Sequence, residues 1–236
     1  MPSGDDDDAV ERHRETTQVR EVYDAIATHF SKTRKHAWPE VQTFLEGCSA
    51  GGRGLDIGCG NGRHMAVLRE KADSVVGVDL SHNLLVEASD RSERDGWCGD
   101  LVQADAAALP IASSAVDIAV YVATLHHLPG RAERRQSLDE LARVLRAGGR
   151  ALVSAWSTAH DRFDATADQA EGFDTIVDWT LPGGETVPRF YHIYAPAEFD
   201  ADLAASDLTV LDSYVSSGNC YAEVSAPAGD GEGKRP

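Results

Sequence analysis

From Thr16 onward the apolar residues Val19, Val22, Tyr23, Ile26, Ala27 and Phe30 recur at the spacing of one helix face, which predicts an amphipathic helix ending near His29 or Phe30. Pro39 suits the first turn of a second helix that carries Val41, Phe44 and Leu45 and closes at Gly47. The period then shortens. Apolar runs at 53 to 58, 74 to 80, Leu101 to Asp105, Val116 to Tyr121 and Ala151 to Ala155 predict strands. Helical segments separate them: one at 61 to 71, one capped by Ser81 and carrying Leu84, Leu85 and Ala88, and one from Arg131 to Arg146 that Gly148 and Gly149 stop. Repeated alternation of strand and helix predicts an α/β fold with a mostly parallel, doubly wound sheet flanked by helices.

Past Trp156 the periodicity is lost, and residues 157 to 187, punctuated by Asp161, Asp164, Asp168, Asp174 and Asp178, read as an insertion or lid. Arg189 to Tyr194 alternates and opens a further strand; Pro196 to Ala205 reads as a helix and Leu208 to Val224 as the last strands, turning around Gly218. Residues 1 to 15 are acidic and polar and are expected to be disordered, and a polar tail from 226 to 236 is expected to be mobile. Between them, residues 16 to 225 are expected to form a single domain whose first part, 16 to 47, is the pair of N-terminal helices.

Composition narrows the setting. A chain of 236 residues with 42% hydrophobic content has room for one α/β core. No apolar run is long enough to span a bilayer and the N-terminus carries the wrong charge for a signal peptide, so a cytoplasmic protein without membrane contact is expected. Cys48, Cys59, Cys98 and Cys220 form no C-x-x-C pair, which argues against a zinc knuckle, another metal site or a disulfide framework. The net charge of -17, carried largely by Asp beside abundant Ala and Gly, is the composition of proteins that work in concentrated salt, and it predicts a halophilic source. At about 1 M salt the Debye length falls to ~3 Å, so local basic contacts rather than net charge decide whether a polyanion binds.

The candidate chemistry starts at Leu55-Asp56-Ile57-Gly58-Cys59-Gly60-Asn61-Gly62, followed by Val75-Val76-Gly77-Val78-Asp79-Leu80-Ser81, the order of a nucleotide-binding βαβ unit. A dinucleotide fold would want its third glycine at position 63, where Arg63 stands, and Asp56 would repel a pyrophosphate on the turn. A cationic ligand suits this turn better. S-adenosylmethionine (SAM) has no phosphate and carries an ammonium and a sulfonium; Asp56 can face the ammonium while Asp79, with Leu80 beside it, takes the ribose hydroxyls.

On these motifs the chain resembles the class I SAM-dependent methyltransferases, which implies a Rossmann-like fold with Gly58, Gly60 and Gly62 cradling the cofactor. It also implies Asp105 at the adenine amino group and a backbone N–H from Ala106, the other reading of Asp105 being a helix cap. Two flanking elements resemble a narrower family. Val22-Tyr23-Asp24-x-Ile26-Ala27-x-His29-Phe30-Ser31-x-Thr33-Arg34 with Trp38-Pro39, and Arg189-Phe190-Tyr191-His192, are similar to elements of the tRNA methyltransferases that esterify 5-carboxymethyluridine at the wobble position. The similarity covers most of residues 18 to 200.

That resemblance implies transfer of the SAM methyl group to a uridine carboxylate in tRNA. Such a carboxyl is ionised near neutral pH, so the enzyme needs no general base and supplies proximity, in-line orientation and desolvation. Arg34 and Arg189 are the expected clamps on carboxylate and phosphate, with His192 assisting; the competing readings are a solvated loop for Arg34 and an ion pair with a lid aspartate for Arg189. His126, just past the fourth strand, either donates a hydrogen bond to the acceptor or packs, whereas His127 is expected to be structural. Trp156, and with it Tyr191, either stacks on the flipped base or fills the core. Arg131, Arg134, Arg135, Arg143, Arg146 and Arg150 could form an RNA track, but the expected reading is a solvated face paired with Glu133, Asp139 and Glu140. The resemblance further implies a small zinc-ribbon activator that adds a strand to the sheet of the heterodimer. Two rival functions stand beside this one: a small-molecule methyltransferase of quinone or polyketide type, and a non-catalytic SAM-binding module. The basic loop with Arg189 and His192 disfavours a lipid acceptor, and intact Asp56, Asp79 and Asp105 disfavour decay.

Overall fold

A computed structural model describes residues 4–163 and 170–227, with side chains from residue 14 onward. Two helices lead, α1 (Gly4–Thr33) and α2 (Pro39–Glu46). The alternating unit follows as β1 (Arg53–Ile57), α3 (Arg63–Lys71), β2 (Ser74–Asp79), α4 (His82–Asp95), β3 (Asp100–Gln103) and β4 (Val116–Val122), then a 3-10 turn at Leu125–His127, α5 (Arg131–Val144) and β5 (Leu145–Trp156). Next come β6 (Phe173–Thr180), β7 (Thr186–Ile193), α6 (Pro196–Ala204), β8 (Thr209–Ser216) and β9 (Asn219–Ser225). Seven strands form one sheet in the order β3-β2-β1-β4-β5-β9-β8. The first five in that order run parallel. β9 is antiparallel to both of its neighbours.

β4 is buried at nearly every position because helices cover both faces of the sheet. On one face Leu55, Ile57, Ala119 and Tyr121 meet Leu138 and Leu141 of α5 and Phe199 and Leu203 of α6. On the other, Ile118, Val120 and Leu152 meet Val41 and Phe44 of α2 and Met65 and Leu68 of α3. Strand order reverses between β1 and β4, so their carboxyl ends splay apart and leave the crevice in which such folds bind ligands. The glycine turn after β1 and the His126 turn after β4 both open into it.

Two expectations are corrected. The backbone from Gly4 to Glu15, expected to be disordered, is part of α1; the sequence puts Asp5 to Asp8 in its first turns, where the positive end of the helix dipole favours acids. The insertion at 157 to 187, expected to lack periodicity, contains β6, which pairs antiparallel with β7 from Phe173↔Ile193 to Thr180↔Thr186. Val177 and Trp179 of β6 are buried while Asp174, Ile176 and Asp178 are exposed, a period of two that the acids hide in the sequence. Asp164 and Asp168 lie outside the described residues, as does the tail from 228, so the expected mobility of that tail falls mostly there. Among the described residues no helix is long and apolar enough to cross a membrane, and no cluster of His, Cys, Asp and Glu is arranged to hold a metal ion.

Candidate active site

The cofactor end is built on backbone. Gly58, Gly60 and Gly62 take left-handed φ values of 70°, 53° and 72°, which a side chain would strain. A Cβ on Gly58 would overlap Thr124, so the turn after β1 closes directly on the loop after β4. Gly58 and Gly60 line a cavity of about 470 Å³, whereas Gly62 caps α3 and faces Trp97, with the ring 3.0 Å from where its Cβ would stand. Asp79 holds two turns together: its Oδ2 accepts from Gly60 N–H (2.8 Å) and its Oδ1 from Ser81 N–H (2.9 Å). Burial pushes this carboxyl up to about 6, against the pull of those N–H groups, and it lines the cavity with Leu80, Asp105 and Ala106. Asp105 Oδ1 accepts from Ala107 N–H (2.8 Å), so the cap geometry is real and coexists with a place on the cavity wall.

Asp56 stands behind the turn rather than in the cavity wall. It is 1% exposed, and its Oδ2 has no hydrogen-bond partner among the described residues. Burial pushes its carboxyl up to about 8, with Arg63 opposing and Asp79 adding to the rise. The carboxyl that the sequence set against the ammonium thus stands behind the glycine turn, outside the cavity-lining side chains. An orphaned buried carboxyl behind a glycine cradle still fits a cationic group at the turn and disfavours a pyrophosphate.

At the acceptor end α1 forms one wall. Asp24 docks it on the start of α4, accepting from Ser81 Oγ–H (2.6 Å) and Asn83 N–H (3.0 Å). Tyr23, Phe30 and Arg34 then line the cavity together with His126, Trp156, Arg189 and Tyr191. The guanidinium of Arg34 lies 5.3 Å from the Trp179 ring centroid and that of Arg189 lies 4.8 Å from it, so two cations share one indole. Trp179 is fixed by Nε1–H donating to His29 Nδ1 (3.0 Å). Among the described residues neither arginine forms an ion pair, and Arg189, 8% exposed, has no partner at Nε. Holding two guanidiniums together with no anion between them is costly unless a ligand supplies one.

The histidines have assignable tautomers. Trp156 N–H donates to His126 Nδ1 (2.9 Å), which leaves the ring proton on Nε2. Burial, with His127 and Arg189 nearby, holds His126 well below the usual imidazole range, so it is a neutral donor. His127 donates from Nδ1 to the Phe190 carbonyl (3.1 Å) and accepts at Nε2 from Tyr23 O–H (2.7 Å); burial lowers it to about 3. The expected structural role of His127 is thus a tie between α1 and β7. Trp156 is edge-on to Tyr191 (5.1 Å) and lines the cavity rather than filling the core beneath the sheet.

His192 is elsewhere. A strand alternates sides, so Arg189 and Tyr191 face the cavity and His192 faces away. Its Nδ1 meets Asp174 (2.6 Å) and its Nε2 meets Glu198 (3.2 Å), tying the hairpin to α6. Nor do the arginines of α5 and β5 form a track. Arg131 and Arg135 share Asp202 (2.9 and 2.8 Å), Arg143 pairs with Glu140 (2.6 Å), Arg146 with Asp117 and Arg150 with Glu223. The sequence reading missed Trp179 and the wall residues Phe30 and Thr124. The buried alternation along β6 was the signal for the first.

Comparison with known proteins agrees with this geometry. Residues 55–153 match a methyltransferase domain family. A tRNA (carboxymethyluridine(34)-5-O)-methyltransferase of Arabidopsis thaliana is 37% identical over 62% of this chain and 34% of its own length, so the chain spans about a third of that relative. An enzyme of the same name from Schizosaccharomyces pombe is 29% identical over 84% of this chain and 91% of its own. A putative methyltransferase of Encephalitozoon cuniculi is 32% identical over 75% of this chain and 80% of its own. Two solved structures share the fold. A SAM-dependent methyltransferase from Clostridium acetobutylicum has a TM-score of 0.66 at 16% identity, over 86% of this chain and 98% of that one. The complex between the Haloferax volcanii Trm112 methyltransferase activator and the putative methyltransferase gives 0.65 at 16% identity, over 89% and 97%. The chain belongs to a methyltransferase family, shares the fold of SAM-dependent methyltransferases, and is similar to the tRNA (carboxymethyluridine(34)-5-O)-methyltransferases.

Proposed function

We propose that this chain transfers a methyl group from SAM to the carboxylate of 5-carboxymethyluridine at the tRNA wobble position, forming the methyl ester. The observation that carries this reading is the pair of guanidiniums on Trp179, unpaired among the described residues and facing the cavity that begins at the cofactor turn. SAM, when bound, supplies the electrophilic methyl. Arg189 and Arg34 hold the acceptor carboxylate and a phosphate, leaving one carboxylate oxygen free to attack. His126 donates from Nε2 and, being neutral, does not protonate the nucleophile. Trp156 and Tyr191 offer faces to the base, and hairpin β6–β7, whose first strand lies in the expected lid, excludes water on that side. An apolar quinone or polyketide acceptor would leave both arginines without an anion.

The same reading extends to the setting. We place the chain in the cytoplasm of a halophilic cell, with a small zinc-ribbon activator as partner. The Haloferax volcanii complex and the short edge strand β3, open on one side for strand addition, support the partner. To test the clamp, Arg34→Ala and Arg189→Ala should each lower kcat/KM for tRNA about 10- to 100-fold, the worth of one or two charge-assisted hydrogen bonds, while SAM affinity is retained. Loss of SAM affinity in either variant would move that arginine to the cofactor site and remove the clamp.

A further inference from the structure

We infer that the open groove beside the cavity, walled by Thr33, Lys35, His36, Trp38 and Arg63, binds a backbone phosphate of the RNA nucleotide next to the one held in the cavity. This inference rests on the tRNA reading and assigns a second subsite to the same substrate. The groove has a volume of about 440 Å³ and joins the cavity through Arg34, Trp38 and Arg63, which line both. A strand whose base enters the cavity must leave its next phosphate within one nucleotide of the mouth. The groove occupies that position.

Its construction is that of a display loop. Asn61, 1% exposed and set between Gly60 and Gly62, donates from Nδ2 to the carbonyls of Arg34 (2.9 Å) and Ser31 (3.3 Å). Arg91 of α4, 7% exposed, donates to the carbonyls of Arg34 (3.3 Å) and Lys35. These inward hydrogen bonds use up backbone acceptors, so the loop is fixed to the cofactor turn while the Lys35 and His36 side chains stay exposed. Arg63 lies 5.1 Å over the Trp38 ring, its charge met by an aromatic face. Among the described residues none of Arg34, Lys35 and Arg63 is ion-paired, in a chain whose net charge is -17 and whose arginines on α5 and at the start of β5 are all paired. Burial and the neighbouring Arg34 lower the Arg63 guanidinium to about 10, against the opposing pull of Asp56. Cations on a rigid loop recognise phosphate charge rather than base edges, so this subsite adds affinity and register, not sequence preference.

The test is binding of a labelled anticodon stem-loop RNA to the full chain, with any protein that purifies with it, for wild type, Lys35→Ala, Lys35→Glu and the pair Lys35→Ala/His36→Ala. Both side chains are exposed, so folding is not at stake. The expected result is a Kd raised about 10-fold in the double variant and more by Lys35→Glu. The slope of log K against log salt should be shallower by about 0.7 for the lysine removed, and the loss should be the same when the bases flanking the wobble position are changed. Ester formation by wild type is measured in parallel. Wild-type affinity and slope in the variants, from a chain that does form the ester, overturn the groove alone. A wild-type chain that neither binds the RNA nor forms the ester overturns the groove and the tRNA reading together.

Discussion

Asp56 carries the sharpest residue-scale consequence, because it is buried, unpartnered at one oxygen and raised to about 8. A carboxyl whose folded value lies above its unfolded one favours folding when protonated. Stability from this group is therefore complete below about pH 4 and lost as pH rises towards 8. Asp56→Asn removes the titration. Thermal unfolding of the cofactor-free protein at pH 8 should show the variant equal to or more stable than wild type, and calorimetry should show SAM affinity about 10-fold weaker. Wild-type SAM affinity in Asp56→Asn would mean the carboxyl does not sense the ligand. The residues of the cavity were legible unequally. Arg34 and Arg189 could be named because they sit in motifs, and His126 and Trp156 because they follow the ends of the fourth and fifth strands; Trp179, against which both arginines stack, has neither signal. His192 was misplaced because proximity in sequence to Arg189 ignores the side-to-side alternation of a strand.

Among the elements, the hairpin β6–β7 decides whether the acceptor site exists. Its anchor is His192, bridging Asp174 and Glu198, while Glu198 also accepts from Gly172 N–H (2.6 Å). Burial alone would raise Glu198, but the hydrogen bonds from His192 and Gly172 outweigh it and hold the carboxyl below its ordinary range. The Glu198 contribution is thus full above its unfolded value and lost as pH falls through the folded one. His192→Leu should cost about 1–3 kcal/mol, speed amide exchange across 173–193 and lower transfer without changing SAM affinity. Unchanged exchange across the hairpin would show that another contact holds it. The βα units from β1 to α5 were read from sequence to within a few residues, since burial on both strand faces and the helix stripes leave strong periods, but β5 begins at Leu145 rather than Ala151, so Arg146, Gly148 and Gly149 lie in the strand and not at a helix stop. β6 escaped because its exposed positions, Asp174 and Asp178, resemble loop residues.

Across the whole molecule, acidity and anion binding are reconciled by placement. Arg20, Arg34, Arg63, Arg162 and Arg189 all line the cavity of a chain with net charge -17, beside the acids Asp79, Asp105, Glu133 and Asp178, so cations are gathered at the site while most of the acidic charge lies elsewhere. High salt screens the acidic surface and so should raise Tm, by more than about 10 °C between dilute buffer and 2 M KCl, whereas RNA affinity should fall over the same range. A Tm independent of salt would remove the halophilic reading and leave the site intact. The central claim is the ester, and its most direct measurement is to incubate the protein, its partner if one co-purifies, labelled SAM and tRNA bearing 5-carboxymethyluridine, then digest to nucleosides. The account predicts label in a uridine carboxymethyl ester that mild alkali releases; label that survives alkali, or none in the nucleosides, would contradict it.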